Sequence, residues 1–395
     1  MKKNVKYSLI FAAALTLASG FTSCGDDNND DPTPTPSVNP KDDALAVLNP
    51  KLSTVNANFV DSTAIYTYRK LADENKKLVE AIGAMKDDAS VKVACDIWKS
   101  SRKWWEFSEA FLFGAASDYG IDPHTDTWPF DRVAFDKFMS RYDPAHDELD
   151  AAEMEEAITT GQNLTGFHAV EYLIFRNGQA RPFADMTENE IFFAKAAAKD
   201  LYISSLKLVS AWGGEVSEEE QDMLDEVEFE SATNYGNNFK KAGNAGSTYT
   251  TVLAASKQII AGANEIIGEV RDSKIGAPAT GADVNYIESP HAYNSIQDFY
   301  DNIMSCKHAL YGGATIDGNT PSATSLIGVC LQIVQTKAAA ENVEAKLEAA
   351  LAAIDNMKRP FVLYYTDQSA KDAMTALDGL EEALNKLDAA LDAYE

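Results

Sequence analysis

The sequence predicts an all-α protein built as two tandem helical bundles of four-helix type. Three observations carry that expectation. From residue 45 onward apolar residues recur with a period near 3.6. At the carboxyl end Leu377, Leu380, Leu384, Leu387, Leu391 and Tyr394 are spaced 3, 4, 3, 4, 3, the a/d seam of a packed helix. Convincing apolar-polar alternation is absent, and the one β-like run, VLYY at 362–365, is explained equally well by tight packing beside Pro360. More amphipathic helices are expected than one four-helix core can bury, so two bundles side by side follow.

The chain begins with Lys2, Lys3 and Lys6 ahead of an apolar run from Ser8 to Ala18. The run is too short for a bilayer, which needs roughly 20 residues. A basic segment, a short apolar core and small residues make a secretory signal over residues 1–23. Small residues just before Cys24 resemble a bacterial lipoprotein signal, which would make Cys24 the lipidated first residue of the mature chain. Residues 24–44 contain GDDNNDDPTPTPSVNPKDDA, with four prolines, six acids and one base, and read as an extended acidic tether. Such a stretch resembles export signals of surface lipoproteins in Bacteroidetes. The expected location is therefore the outer membrane, facing the periplasm or, preferably, the medium.

Helices are expected near 51–83, 89–114, 131–141 and 150–176. Thr187-x-x-Glu190 is a capping box for a helix running to about Trp212, where Gly213-Gly214 stops it. The first bundle thus covers 45–215, residues 216–244 form a polar connection, and the second bundle covers 245–395. Within the second, helices are expected near 247–271, 294–311 and 322–357, ahead of the leucine seam.

Charge excludes one class of partner. The chain has 34 basic and 61 acidic residues, a net charge of −27, and loss of the signal removes three lysines and no acid. Nucleic-acid binding requires clustered Lys and Arg to neutralise phosphate and is not expected. Beyond Cys24 the cysteines are Cys95, Cys306 and Cys330, an odd number without metal-knuckle spacing, each expected as a buried thiol.

Three segments depart from simple apolar-in, polar-out helices. Trp98, Arg102, Trp105 and Glu109 are spaced 4, 3, 4 and would share a helix face, placing charges inside an aromatic stripe. On spacing alone a salt bridge that only supports packing explains them well. In LTGFHAVEYLIF, His168 and Glu171 are i and i+3 neighbours, and Gly166 permits close approach one turn earlier. Imidazole and carboxylate can ligate iron or zinc, but this spacing serves a satisfied core histidine as readily. The zincin motif H-E-x-x-H is absent. Glu288-x-x-His291 has the order of di-iron bundles, but Pro290 spoils its helical geometry. Asp298 and Asp301, one turn apart in SIQDFYDNIMSCKHALYGG, read on their own as an exposed acidic face.

Together these blocks resemble the imelysin family of bacterial envelope proteins. The resemblance rests on Gly166, His168 and Glu171 as G-x-H-x-x-E, on Trp98…Arg102…Trp105…Glu109…Phe113-Gly114, on Trp128-Pro129 within DTWPFD, and on QDFYDNI…LYGG. It implies two helical bundles with a cleft at their interface and a role in iron acquisition. It places His168, Glu171 and Glu109 at a metal, and Arg102, Glu109, Trp98, Asp298 and Asp301 around the ligand. The expected partners are a metal ion or iron-bearing ligand, a lipid anchor to the membrane and an envelope transporter component, with the protein itself a monomer. Iron is the candidate cofactor. Five histidines and nine methionines support one site rather than a metal store. A non-catalytic binding role is the leading expectation; a metal-dependent peptidase and a structural or adhesive lipoprotein are the alternatives.

Overall fold

The computed structural model describes residues 40–141, 164–316 and 318–394. The predicted signal, Cys24, most of the predicted tether and the 150–163 part of one predicted helix lie outside these residues. Residues Lys41–Glu395 form one compact unit. The described residues are helical apart from loops and one two-residue ribbon. No helix among them is long and apolar enough to cross a membrane.

Helix α1 (Pro40–Asn58) starts at a proline, whose missing N–H costs nothing in a first turn, so the end of the predicted tether is helical. It runs through a π-helical turn, Phe59–Ala64, into α2 (Ile65–Gly83). Helix α2 buries Tyr68, Leu71, Asn75, Leu78 and Ile82, a 3–4 stripe that packs against its neighbours on both sides. One neighbour is α3 (Asp88–Glu106), capped by Asp87, which accepts from the Ser90 N–H while the Ser90 hydroxyl accepts from the Asp87 N–H. Helix α3 ends eight residues sooner than the sequence suggested. The Ser108 hydroxyl donates to the Trp105 carbonyl, 2.7 Å, and competes with the helical ladder there. A 3-10 turn, Glu109–Phe111, follows.

Helix α4 (Arg132–Met139) and α5 (Gly166–Ile174) lead to the ribbon of β1 (Phe175–Arg176) and β2 (Gln179–Ala180). Asn177 and Gly178 connect the strands with φ of 52° and 77°. That is the Asn-Gly pair a tight hairpin favours, a signal the helical reading of this region missed. Helix α6 (Glu188–Ala211) carries the predicted capping box: Glu190 N–H donates to Thr187 Oγ1 and Thr187 N–H to Glu190 Oε2. It stops where Gly213 adopts φ 81°. Helices α2, α3, α5 and α6 form the packing of the first half.

Residues 216–244 are not merely a polar connection. They include α7 (Glu218–Glu226), held to α2 and α6 by Glu220, which accepts from Arg69 and from the Tyr202 hydroxyl. The second half packs α8 (Val252–Glu269), α9 (Ser295–Tyr311), α10 (Val334–Asp355) and α11 (Gln368–Leu391) against one another. The predicted 322–357 helix is split: a turn Leu326–Cys330 precedes α10, and the Thr336 hydroxyl takes the Cys330 carbonyl at 2.8 Å where the chain bends. The β-like VLYY run falls within a helical turn, Phe361–Tyr364, followed by Tyr365. The leucine seam is buried along α11, and Leu384 is fully enclosed. Truncating Leu384 to Ala is expected to cost roughly 2–5 kcal/mol, read as a lower urea midpoint with an unchanged slope. Helix α9 also packs on α3 and on the 3-10 turn, so the two halves share that seam.

Candidate functional site

Trp98, Arg102 and Trp105 do lie on one face of α3, and all three are buried. Glu109 does not continue the face, because the helix has ended. The i+4 partner of Arg102 is Glu106. The guanidinium pairs directly with Asp126 and Glu106, lies 2.9 Å from Glu288 Oε1, and has Nε 3.9 Å from Asp298. Four carboxylates thus converge on one fully buried arginine, whose fork of donors suits several acceptors at once.

Asp126 joins this cluster because of Gly166. At Gly166 φ is 78°, and a Cβ there would lie 2.2 Å from the Thr125 carbonyl oxygen. The missing side chain lets the turn Ile121–Thr125 press against the start of α5. His168 Nε2 then sits 3.1 Å from Asp126 Oδ1, in ion-pair contact without the alignment of a hydrogen bond. His168 Nδ1 is 3.1 Å from Glu171 Oε2. Trp105 Nε1 donates to Asp126 Oδ2 at 2.9 Å.

Glu171 reaches in the other direction. Its Oε1 accepts the backbone N–H groups of His291 and Ala292, each at 2.8 Å. These bonds hold the loop 288–293, in which Ser289 and Tyr293 adopt left-handed φ of 44° and 55°. Non-glycine residues in that region cost on the order of 1–3 kcal/mol each and persist when their surroundings over-determine them. The ribbon adds a brace: Gly178 N–H donates to the His291 carbonyl at 2.8 Å.

The loop delivers Glu288, whose Oε1 also accepts from Lys274 Nζ at 3.0 Å. Lys274 lies in a π-helical turn, Val270–Ile275, that follows α8 and turns it inward. It is buried, 3.8 Å from Glu106. Pro290 does prevent a helical Glu-x-x-His motif here. Yet Glu288 through its side chain and His291 through its backbone both enter the site.

Burial opposes every charge in this cluster, and partners decide each case. Asp126 is nevertheless held far below the usual carboxylate range by Arg102 and then His168. Burial disfavours the His168 imidazolium, but Asp126 and Glu171 outweigh it and raise the group to about 9. Burial wins at Glu106 and Glu109, which are pushed well up, and at Asp298, pushed up to about 6.

Three sets of potential ligand atoms lie within 4.8 Å of one another among the described residues: Asp126, His168 and Glu288; Glu106, Glu109 and Asp126; and Glu106, Glu288 and Asp298. A cleft of about 530 Å³ opens onto His168 and Glu171, walled by residues 128–133 on one side and by Val284, Ile287, Pro290 and His291 on the other.

The residues expected from the sequence are distributed unevenly. Arg102, His168, Glu171 and Asp298 are brought together. Glu109 adjoins Glu106 and Asp126 rather than His168. Trp98 is behind the site: its Nε1 donates to the Phe167 carbonyl at 3.0 Å and its ring packs on Phe167 and Phe175. The Asp298–Asp301 pair is buried, not an exposed acidic face. Asp301 bonds Gln297 at 3.0 Å and sits outside the Arg102 cluster. The sequence raised no expectation for Asp126, Glu106 and Lys274, and Pro290 argued against Glu288.

Burial raises Asp301 to about 8. An acid whose folded pKa lies above its unfolded value near 3.9 holds a proton only in the native state across that window. Stability is therefore lost as pH rises from about 4 to about 8, with a slope approaching 1.4 kcal/mol per pH unit from this group. Asp301→Asn is expected to flatten thermal stability across that range and to raise it at pH 8.

Comparison with known proteins is consistent with this construction. Residues 64–391 match the family model described as imelysin. The chain is 26% identical over 263 residues to the protein named iron-regulated protein A of Synechococcus elongatus. That match covers 66% of this chain and 64% of the relative, so it spans a little under two thirds of the relative's length. A crystal structure of a protein from Parabacteroides distasonis, titled a putative iron-regulated protein A precursor, superposes with a TM-score of 0.74 at 25% identity, covering 87% of this chain and 95% of that one. An imelysin-like protein from Psychrobacter arcticum shares the fold at a TM-score of 0.56 and 12% identity, over 87% and 93% of the two chains.

Proposed function

The chain belongs to the imelysin family, and from that premise we propose that it binds a metal ion or metal-bearing ligand, without catalysing a reaction, in iron uptake. The observation that carries the reading is a crowd of enclosed carboxylates with too few cations to ionise them all. Among the described residues the side chains of Asp126, Glu106, Glu109, Glu171, Glu288 and Asp298 are enclosed around Arg102, Lys274 and His168, and burial favours the protonated form of Glu106 and Glu109. Buried negative charge beyond its partners is costly, so the surplus carboxylates take protons, and a cation supplied from the cleft can take the place of those protons. Oxygen donors with one imidazole suit iron better than a soft metal. Asp126, His168 and Glu288 are the preferred contacts, with the cation taking the place of the His168 proton. Glu171 orients the imidazole, and Glu109 and Glu106 offer a neighbouring set. The names borne by the two iron-regulated relatives support iron as the cargo. A single histidine among these groupings supports binding over zincin-type peptidase chemistry.

Equilibrium dialysis with ferric citrate and with ferrous ion tests this. Asp126→Asn and His168→Gln are expected to weaken uptake by about 10–100-fold, the usual scale for a perturbed ligand shell. Unchanged uptake together with lowered melting temperatures would support a purely structural lock instead.

The same proposal places the protein on the outer membrane through a lipid on Cys24, beside an envelope transporter component. Cys24→Ala is expected to release the protein from the membrane fraction.

A further inference from the structure

The cleft is larger and less polar than a bare cation requires. Its volume of about 530 Å³ falls among sites that hold small organic molecules, roughly 300–1,000 Å³. His168 and Glu171 line its buried end, but most of the wall is apolar: Trp128, Pro129 and Phe130 on one side, Val284, Ile287 and Pro290 on the other. None of these six side chains offers an acceptor atom to an iron ion.

The walls are accessible. Trp128 and Phe130 are only half-buried, and Val284 is 49% exposed. The Phe130 ring packs on Phe135 and Tyr172, with centroids 5.3 and 5.7 Å away, and the Trp128 ring on Tyr286 at 4.6 Å. Rings already fixed in this way lose little freedom when a further flat ring packs on them.

One charge at the opening is unspent. Arg132 lines the cleft and is exposed, and its guanidinium makes no hydrogen bond or ion pair with the described residues. The other exposed charge of the lining, Asp131, is engaged by its own helix: Oδ1 accepts from the Ala134 N–H at 2.9 Å. In a chain of net charge −27 an anion needs a local cation, and a guanidinium holds a carboxylate through two parallel hydrogen bonds.

We propose that iron reaches this cleft as the complex of a hydroxylated aromatic carboxylate. Its ring lies between the apolar walls, its carboxylate pairs with Arg132, and adjacent ring hydroxyls at its other end present the metal toward His168. This inference rests on the metal-binding reading above and adds the chemistry of the carrier. A bare aquated ion uses neither the walls nor Arg132. An aliphatic polycarboxylate uses Arg132 but gains little from the walls, so it is the weaker match.

Ligand-observed NMR titration of the iron-free full chain tests the assignment, with 3,4-dihydroxybenzoate, benzoate, catechol and citrate as probes. The two aromatic carboxylates are expected to bind with roughly millimolar affinity, catechol and citrate more weakly. Arg132→Gln and Val284→Glu, both changes at exposed positions, are each expected to weaken the aromatic carboxylates by at least about threefold. No binding of 3,4-dihydroxybenzoate, tighter binding of citrate, or affinities unmoved by both substitutions overturns the proposal. Iron is absent from these titrations, so the two readings fail separately: ferrous uptake in dialysis without any binding of aromatic carboxylate removes the carrier and leaves the metal site standing.

Discussion

Replacing Arg102 with Met is expected to destabilise the body by about 3–5 kcal/mol, the cost of removing one partner from a buried ionic network. The guanidinium lies among Asp126, Glu106, Glu288 and Asp298, and only Lys274 and His168 would remain to face them. Met fills similar space, so little of the loss arises from a cavity. Arg102→Lys is expected to recover only part of it, because an ammonium is a point charge and cannot fork between carboxylates on different elements. Urea unfolding of the three proteins checks this. A loss under about 1 kcal/mol for the Met variant would mean that the carboxylates satisfy one another through protons, and that Arg102 is not the organising cation.

The second large effect belongs to Gly166→Ala. Left-handed backbone costs a non-glycine residue roughly 1–2 kcal/mol. The larger cost is steric, since the new methyl would lie 2.2 Å from the Thr125 carbonyl oxygen, a backbone atom that cannot swing aside. The turn must withdraw from α5, carrying Asp126 away from His168 and Arg102. The expected result is both a destabilised protein and iron uptake reduced as far as in Asp126→Asn. A variant that kept full uptake would show that the approach of this turn to α5 is not what assembles the site. Ala169→Gly, on the same short helix, serves as the control: it loosens α5 by about 1 kcal/mol without that clash.

Much of the architecture was legible because helices announce themselves over long windows. The α11 seam and the α6 capping box need only local spacing, and both are present as read. The failures share a cause. The stop of α3 depends on one serine bonding a carbonyl, the split before α10 on one threonine, and the ribbon on the Asn177-Gly178 pair. Such short signals were outweighed by the apolar period around them. In the site, His168 and Glu171 were visible because they are neighbours on one helix. Asp126 and Glu288 were not, because their meeting at Arg102 spans 186 residues between Arg102 and Glu288 and depends on loops. The rejection of Glu288-x-x-His291 shows the limit clearly. Pro290 was correctly read as excluding a helix, but a loop held by Glu171 brings the same residues into place. Lys274 had no sequence signal, since only a π-helical turn sends it inward.

The central claim is that a metal is held where Asp126, His168 and Glu288 converge. Crystals soaked in ferric citrate and measured on both sides of the iron absorption edge test it most directly. An anomalous peak is predicted within ligand distance of these three residues, lost in Asp126→Asn crystals. An anomalous peak elsewhere, or none at this cluster in crystals whose other iron sites are filled, would contradict it.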